Sequence, residues 1–198
     1  MKPFLITGTV FFVDLTSFFG SFKMVYVITG GPGFGKTTVI NLLAEKGFNT
    51  CHETARDLLV PNKNHIGAAE ALNLPPDFEK RVATVRINFL QSVDPNTVAF
   101  SDRGLPDQIA YSWFKKREPS AFIEEVVSIY KYAPYVFVAP PWKEIFVRDG
   151  IRKENFEEAS EIHREILAAY LKYNYKIIDL PMVSPQLRVK FILNFLGI

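Results

Sequence analysis

Eight consecutive residues, Gly30-Gly31-Pro32-Gly33-Phe34-Gly35-Lys36-Thr37, combine four glycines with a lysine and a hydroxyl. Such a set can hold the phosphates of a nucleoside triphosphate. A triphosphate needs several N–H donors and no bulky side chain in the way, and glycines let the backbone curl so that successive amides turn inward. A helix starting at Lys36 would add the positive end of its dipole. Lys36 would supply a mobile ammonium to the β- and γ-phosphates, and the Thr37 hydroxyl would be a ligand for Mg2+. Phe34 is bulky for such a loop, and its amides can converge if the ring points outward.

In an open parallel sheet, ligands collect beyond the carboxyl ends of the strands, so polar residues there carry weight. Asp102 follows the apolar run Val98-Ala99-Phe100-Ser101. It can hold a magnesium shell, accept a proton from an attacking hydroxyl, or simply cap the next helix. Arg103 can clamp a substrate phosphate or carboxylate, or pair with Asp107 as a structural bridge. Glu53 can meet a substrate hydroxyl or the metal shell, although a first helical turn favours glutamate anyway. Arg148 and Arg152 share a face if their segment is helical, either to neutralise charge during transfer or as a solvated face. His52, His65 and His163 have no metal-ligand spacing among themselves or with Cys51, and read as structural histidines. Tyr130, Tyr132, Tyr135 and Trp142 read as core and lid packing.

The elements that must position these residues alternate. Val25–Ile28, 48–52, 97–100, 135–138 and 175–179 have strand character. Helical patterns occupy 36–46, closed by Gly47, then 53–59, 77–93, 106–116 and 120–132. Asn155 with Glu158 forms a capping box for a helix reaching Lys172, and Ser184-Pro185 opens the last helix with an N-cap and a proline at N1. Residues 61–76 form a looser connector. Five strands alternating with helices predict an α/β fold: a mostly parallel sheet, covered on both faces and joined by right-handed crossovers.

Composition agrees with a single domain. The 198 residues are 48% hydrophobic and 22% charged, enough for one large core. A net charge of +2, from 23 basic and 21 acidic residues, is too balanced for nucleic acid or a membrane surface to be the main partner. A small molecule is expected. One cysteine, Cys51, allows no internal disulfide and fits a reducing compartment, the cytoplasm by default. Residues 1–23 stand apart, with six phenylalanines between Phe4 and Phe22. The stretch imitates a secretion signal, but Asp14 interrupts it and no small-residue cleavage site follows. Met24 is then a candidate start for a domain over 24–198, and an added hairpin or helix packed on the sheet is the plainer alternative. No other apolar stretch approaches the roughly 20 residues that span a bilayer.

Taken together, Ile28-Thr29-Gly30-Gly31-Pro32 through Thr38, Glu53-Thr54-Ala55-Arg56, Asp102-Arg103-Gly104-Leu105-Pro106-Asp107, Pro140-Pro141-Trp142 and Asp149-Gly150-Ile151-Arg152 resemble the NadR-like AAA-domain P-loop proteins. Relatives of that family include nicotinamide riboside kinase domains and small nucleoside and nucleotide kinases. The resemblance, from Met24 onward, implies a kinase-type sheet of order 2-3-1-4-5, a lid around Asp149 to Arg152, and a base site formed partly by Asp179-Leu180-Pro181. It implies ATP rather than GTP, with Gly31, Pro32, Gly33, Phe34, Gly35, Lys36, Thr37, Thr38 and Pro181 on the nucleotide. Glu53, Arg56, Arg103 and Asp107 fall on the acceptor side. Residues 1–23 have no counterpart in the family, and Phe34 replaces a small residue. The chain leaves no room for the separate helical lid domain of a remodelling motor.

Two functions follow. In one, the chain is a magnesium-dependent kinase moving the γ-phosphoryl of ATP to a small nucleoside- or nucleotide-like acceptor, with Lys36, Asp102, Arg103, Arg148 and Arg152 at the chemistry. In the other it is a nucleotide-dependent binding or switch protein with slow NTPase activity. A Ras-like GTPase is disfavoured, because Asn62-Lys63-Asn64-His65 lacks the aspartate of the guanine-specific element.

Overall fold

A computed structural model describes residues 4–6, 9–11, 24–52, 77–146 and 154–198. A short antiparallel pair, β1 (Phe4–Ile6) and β2 (Thr9–Phe11), forms a two-stranded sheet of its own. The five strands that follow are β3 (Val25–Thr29), β4 (Asn49–Cys51), β5 (Ala99–Asp102), β6 (Tyr135–Val138) and β7 (Lys176–Asp179). They pair in parallel in the order β4-β5-β3-β6-β7. Counted from β3, that is the expected 2-3-1-4-5.

Side chains of a strand alternate between faces, and this alternation divides the core. Val25, Val27, Ala99, Val136 and Val138 join one buried cluster, while Ile28, Phe100 and Phe137 join another. Helices cover both faces, as an all-parallel sheet requires. The first cluster is completed by α2 (Phe78–Ser92), α3 (Leu105–Phe114), α4 (Ala121–Ile129) and part of α5 (Phe156–Lys172). The second is completed by α1 (Lys36–Glu45), α6 (Pro185–Leu196) and the start of α5.

Local signals account for the helix ends. Gly47, with φ of 90°, follows α1 and donates its N–H back to Ala44. Asn155 Oδ1 accepts from the Glu158 amide at 2.8 Å, and Glu158 Oε2 accepts from the Asn155 amide at 2.9 Å, closing the capping box of α5. Ser184 precedes α6 with extended backbone, yet its side chain makes no capping bond, so Pro185 alone marks that start. The third core strand begins two residues later than expected and runs through Asp102, since Ile28 pairs with Asp102 in the ladder. Asp102 is therefore the last residue of the strand, held by the sheet itself.

Candidate functional site

The carboxyl ends of β3, β5, β6 and β7 lie in register: Ile28 stands beside Asp102, Thr29 beside Val138, and Val138 beside Asp179. From the end of β3 the chain turns through residues 30–35 into α1. Gly35 enters the helix in the left-handed region, φ 83°, where a side chain would be strained. Gly31 meets a different limit: a Cβ there would lie 2.3 Å from the Ala159 carbonyl and 2.4 Å from the Phe34 ring. Pro32 and Gly33 are buried within the loop, and Thr38 is exposed on the first turn of α1.

Lys36 is almost wholly buried and donates from Nζ to the Gly31 carbonyl at 2.7 Å, so its ammonium lies back across the loop. Thr37 donates from its hydroxyl to Asp102 Oδ2 at 3.2 Å. A hydroxyl and a buried carboxylate are thus side by side at the N-terminus of α1, two hard oxygen donors of the kind Mg2+ takes. The residues fit the ion the loop implies. Among the described residues, no cluster of three or more His, Cys, Asp or Glu could hold a metal by itself.

The Phe34 ring does not point outward; it is completely buried. It packs against Phe146 at 6.3 Å and Phe156 at 6.0 Å, and edge-on to His163 at 5.9 Å between ring centroids. The cause is the start of α5, whose Phe156 and Ala159 offer an apolar floor beneath the loop; burying such a ring is worth about 2–3 kcal/mol. His163 shares this floor, and its Nδ1 has no hydrogen-bond partner among the described residues. Burial lowers its pKa to about 4; Asp179 opposes the shift, and the charges of Lys36 and Arg164 add to it. The imidazole is neutral at pH 7.

A second polar group lies at the β5–α3 turn. Arg103 adopts φ of 70°, unusual for a residue with a side chain and a place where strain is stored. Its amide donates to Ile28, its carbonyl accepts from Ser101 Oγ, and its guanidinium reaches both the Gly30 carbonyl at 3.2 Å and Asp107 Oδ1 at 2.9 Å. Of the two roles open to Arg103, the bridge to Asp107 is present. The buried Asp107 carboxylate receives four donors: Thr29 Oγ1 at 2.6 Å and Arg103 Nη1 on one oxygen, the Gly104 amide at 2.9 Å and the Tyr170 hydroxyl at 2.7 Å on the other. Burial alone would raise its pKa. The Arg103 and Arg86 charges, with the Gly104 and Thr29 bonds, hold it below its ordinary value instead.

Arg86, Tyr132 and Tyr170 complete this hub. Arg86 donates to the Gly104 carbonyl at 2.8 Å, and the Tyr132 hydroxyl accepts from the Leu105 amide. Gly104 is pressed between them, since a Cβ there would lie 2.6 Å from the Tyr170 hydroxyl. Burial pushes the Tyr132 and Tyr170 phenols far above their usual range, so both stay protonated. Sequence reasoning assigned no role to Arg86, Tyr170 or Arg188. Arg86 does interrupt an apolar helical row, Val82-Arg86-Leu90, and that interruption is a signal; Tyr170 and Arg188 leave none. Glu53, Arg56, Arg148 and Arg152 lie outside the described residues, as do the helix expected at 53–59 and the connector at 61–76. Pro181, just past β7, offers its carbonyl to Arg188 Nε at 2.9 Å.

Comparisons with known proteins agree with this fold. Residues 25–188 match the model of a family described as AAA domain. The NadR protein solved in complex with NR is similar over 89% of this chain and 52% of its own, at 19% identity and a TM-score of 0.62. Thymidylate kinase from Ehrlichia chaffeensis is similar over 89% of this chain and 100% of its own, at 18% identity and a TM-score of 0.53. Thymidylate kinase from Candida albicans covers 88% of this chain and 91% of its own, at 12% identity and a TM-score of 0.56. The chain therefore has the fold of the P-loop kinases. No functionally curated protein matches it in sequence. No helix among the described residues is long and apolar enough to cross a membrane.

Proposed function

The chain belongs to the AAA domain family, and from that premise we propose that it transfers the γ-phosphoryl group of ATP, with Mg2+, to a small nucleoside- or nucleotide-like acceptor. The observation that carries this reading is the Thr37 hydroxyl set 3.2 Å from Asp102 Oδ2 at the head of α1, behind a glycine loop crossed by Lys36. The thymidylate kinases and NadR bring the same fold, and the thymidylate of the one name and the NR bound to the other protein motivate the acceptor class.

In this reading the loop amides bind the phosphates, the dipole of α1 favours their charge, and Lys36 shifts from the Gly31 carbonyl to the β- and γ-oxygens. Thr37 and Asp102 would hold Mg2+, which when bound neutralises charge on the phosphate oxygens. Asp102 also stands at the strand end where an acceptor hydroxyl can pass it a proton. Arg103 and Asp107 brace the loop: the guanidinium holds the Gly30 carbonyl, and the carboxylate holds Thr29, the residue before it. Glu53 and Arg56 serve the acceptor side, Arg148 and Arg152 the charge that develops in transfer, and Pro181 the base.

The test is a metabolite screen with labelled ATP, watched for phosphoryl transfer to nucleosides, nucleotides and vitamin-like ribosides. Transfer to one acceptor above the rate to water is expected. Replacing Lys36 by alanine should then lower turnover on the order of 10²–10³-fold, the scale for removing one preorganised charge stabiliser. Tight nucleotide binding with no acceptor better than water would overturn the kinase reading and leave a switch protein.

A further inference from the structure

Arg188 is the largest fully buried side chain among the described residues, only 1% exposed. A guanidinium inside a core normally answers a carboxylate, because the desolvation it suffers must be offset. This one pairs with no described carboxylate. Its Nε donates to the Pro181 carbonyl at 2.9 Å, its Nη1 donates to the Phe34 carbonyl at 3.0 Å, and its Cζ lies over the Trp142 ring, 5.2 Å from the centroid. Nη2 is buried with no partner among the described residues. Nη1 also lies 3.4 Å from where a Cβ of Gly35 would sit, which places the cation directly against the phosphate loop.

An apolar residue on α6 would fill the same space without burying a charge. What it could not do is hold two backbone carbonyls from separate segments with one rigid plane. Phe34 belongs to the phosphate loop, Pro181 to the turn after β7, and Trp142 to the turn after β6. Arg188 is where these three meet. A planar fork with donors in fixed directions sets the distance between the segments it bonds, whereas a flexible ammonium does not.

We propose that Arg188 is a positioning residue that fixes the phosphate loop against the Pro181 turn, so that the two halves of a bound nucleotide meet sites at a preset spacing. This rests on the nucleotide reading of the loop. A ligand spanning two preset subsites gains affinity from their linkage, and a ligand occupying one of them does not. Arg188 thus acts on ATP through geometry and leaves the phosphate subsite itself intact.

The test compares ATP with inorganic tripolyphosphate by calorimetric titration of the full chain, as wild type and as Arg188→Lys. The lysine keeps the charge and loses the fork. ATP affinity should fall about tenfold while tripolyphosphate affinity changes less than about threefold, a drop in their ratio that general loosening of the protein would not produce. Equal losses for both ligands, or no loss for either, in a variant that still melts cooperatively would overturn the proposal. Should Arg188→Lys not fold, Trp142→Leu takes its place. It removes, at a half-buried position, the ring against which the guanidinium rests, so the fork loses the contact that holds its direction toward both carbonyls and the ratio should fall about threefold. An unchanged ratio there overturns the proposal. Wild-type protein that binds neither ligand would instead sink the nucleotide reading, and that outcome is visible before any variant is made.

Discussion

The Tyr170 hydroxyl, on α5, donates at 2.7 Å to the carboxylate of Asp107, on α3, and so supplies the last of the four donors that carboxylate receives. The bond joins the helix beneath the phosphate loop to the turn that follows Asp102. It makes the spacing of these elements a matter of hydrogen-bond geometry as well as of apolar packing.

Asp107→Asn keeps the shape of this hub and removes the carboxylate charge that the buried Arg103 guanidinium meets at 2.9 Å. Stability should fall by about 3 kcal/mol, the scale for breaking a buried pair. The folded carboxyl titrates below its ordinary value, so its contribution is complete above the unfolded pKa of about 3.9 and is lost as pH falls through the lower folded value. Urea unfolding from pH 7 into the acid range would show both effects, with a flatter acid limb in the variant. Equal stability of the two proteins at pH 7 would refute the assignment.

His163 supplies a second, separate limb. Its folded pKa of about 4 lies below the unfolded value of about 6.5, so the unfolded chain takes up its proton first. Stability is therefore lost as pH falls from about 6.5 toward 4. His163→Gln should lose less stability than wild type between pH 7 and pH 5, and its amide protons should exchange correspondingly more slowly at pH 5 relative to pH 7.

Asp102→Asn leaves the strand ladder in place and weakens the oxygen pair with Thr37. The requirement for Mg2+ in phosphoryl transfer should rise on the order of 10–100-fold, the range for disturbing groups that hold a metal and its ligands. Titration of turnover against Mg2+ measures this, and thermal unfolding without the ion checks that the fold survives. A wild-type Mg2+ dependence would remove Asp102 from the ion's surroundings.

Phe34→Ala empties the floor of the phosphate loop. A loss of about 3–5 kcal/mol in unfolding free energy is expected, and Phe34→Leu should recover much of it. Had the ring projected from the loop, either change would be nearly neutral.

The parallel sheet was legible because each core strand carries its own apolar run and helices lie between the strands, whereas the strand order came only with the family resemblance. Lys36, Thr37 and Asp102 were legible for the same local reason: each sits where a strand ends or a helix begins. The hub was not. Thr29 and Tyr170 meet Asp107 from 78 and 63 residues away, and no local pattern reports a contact between side chains so distant in the chain. Arg188 bonds Phe34 across 154 residues, and on sequence alone it is one more charge on a terminal helix. Phe34 was misjudged because a phosphate loop favours small residues; the apolar floor that accepts the ring comes from α5, more than a hundred residues on.

The three rings of that floor have a consequence for the chain between two of them. Phe146 and Phe156 pack edge to face, with centroids 5.5 Å apart, and each also touches Phe34. Two aromatic residues ten positions apart in the sequence therefore close on one point of the phosphate loop. The entropy of bringing Phe146 and Phe156 together is met by the aromatic contacts of the folded core.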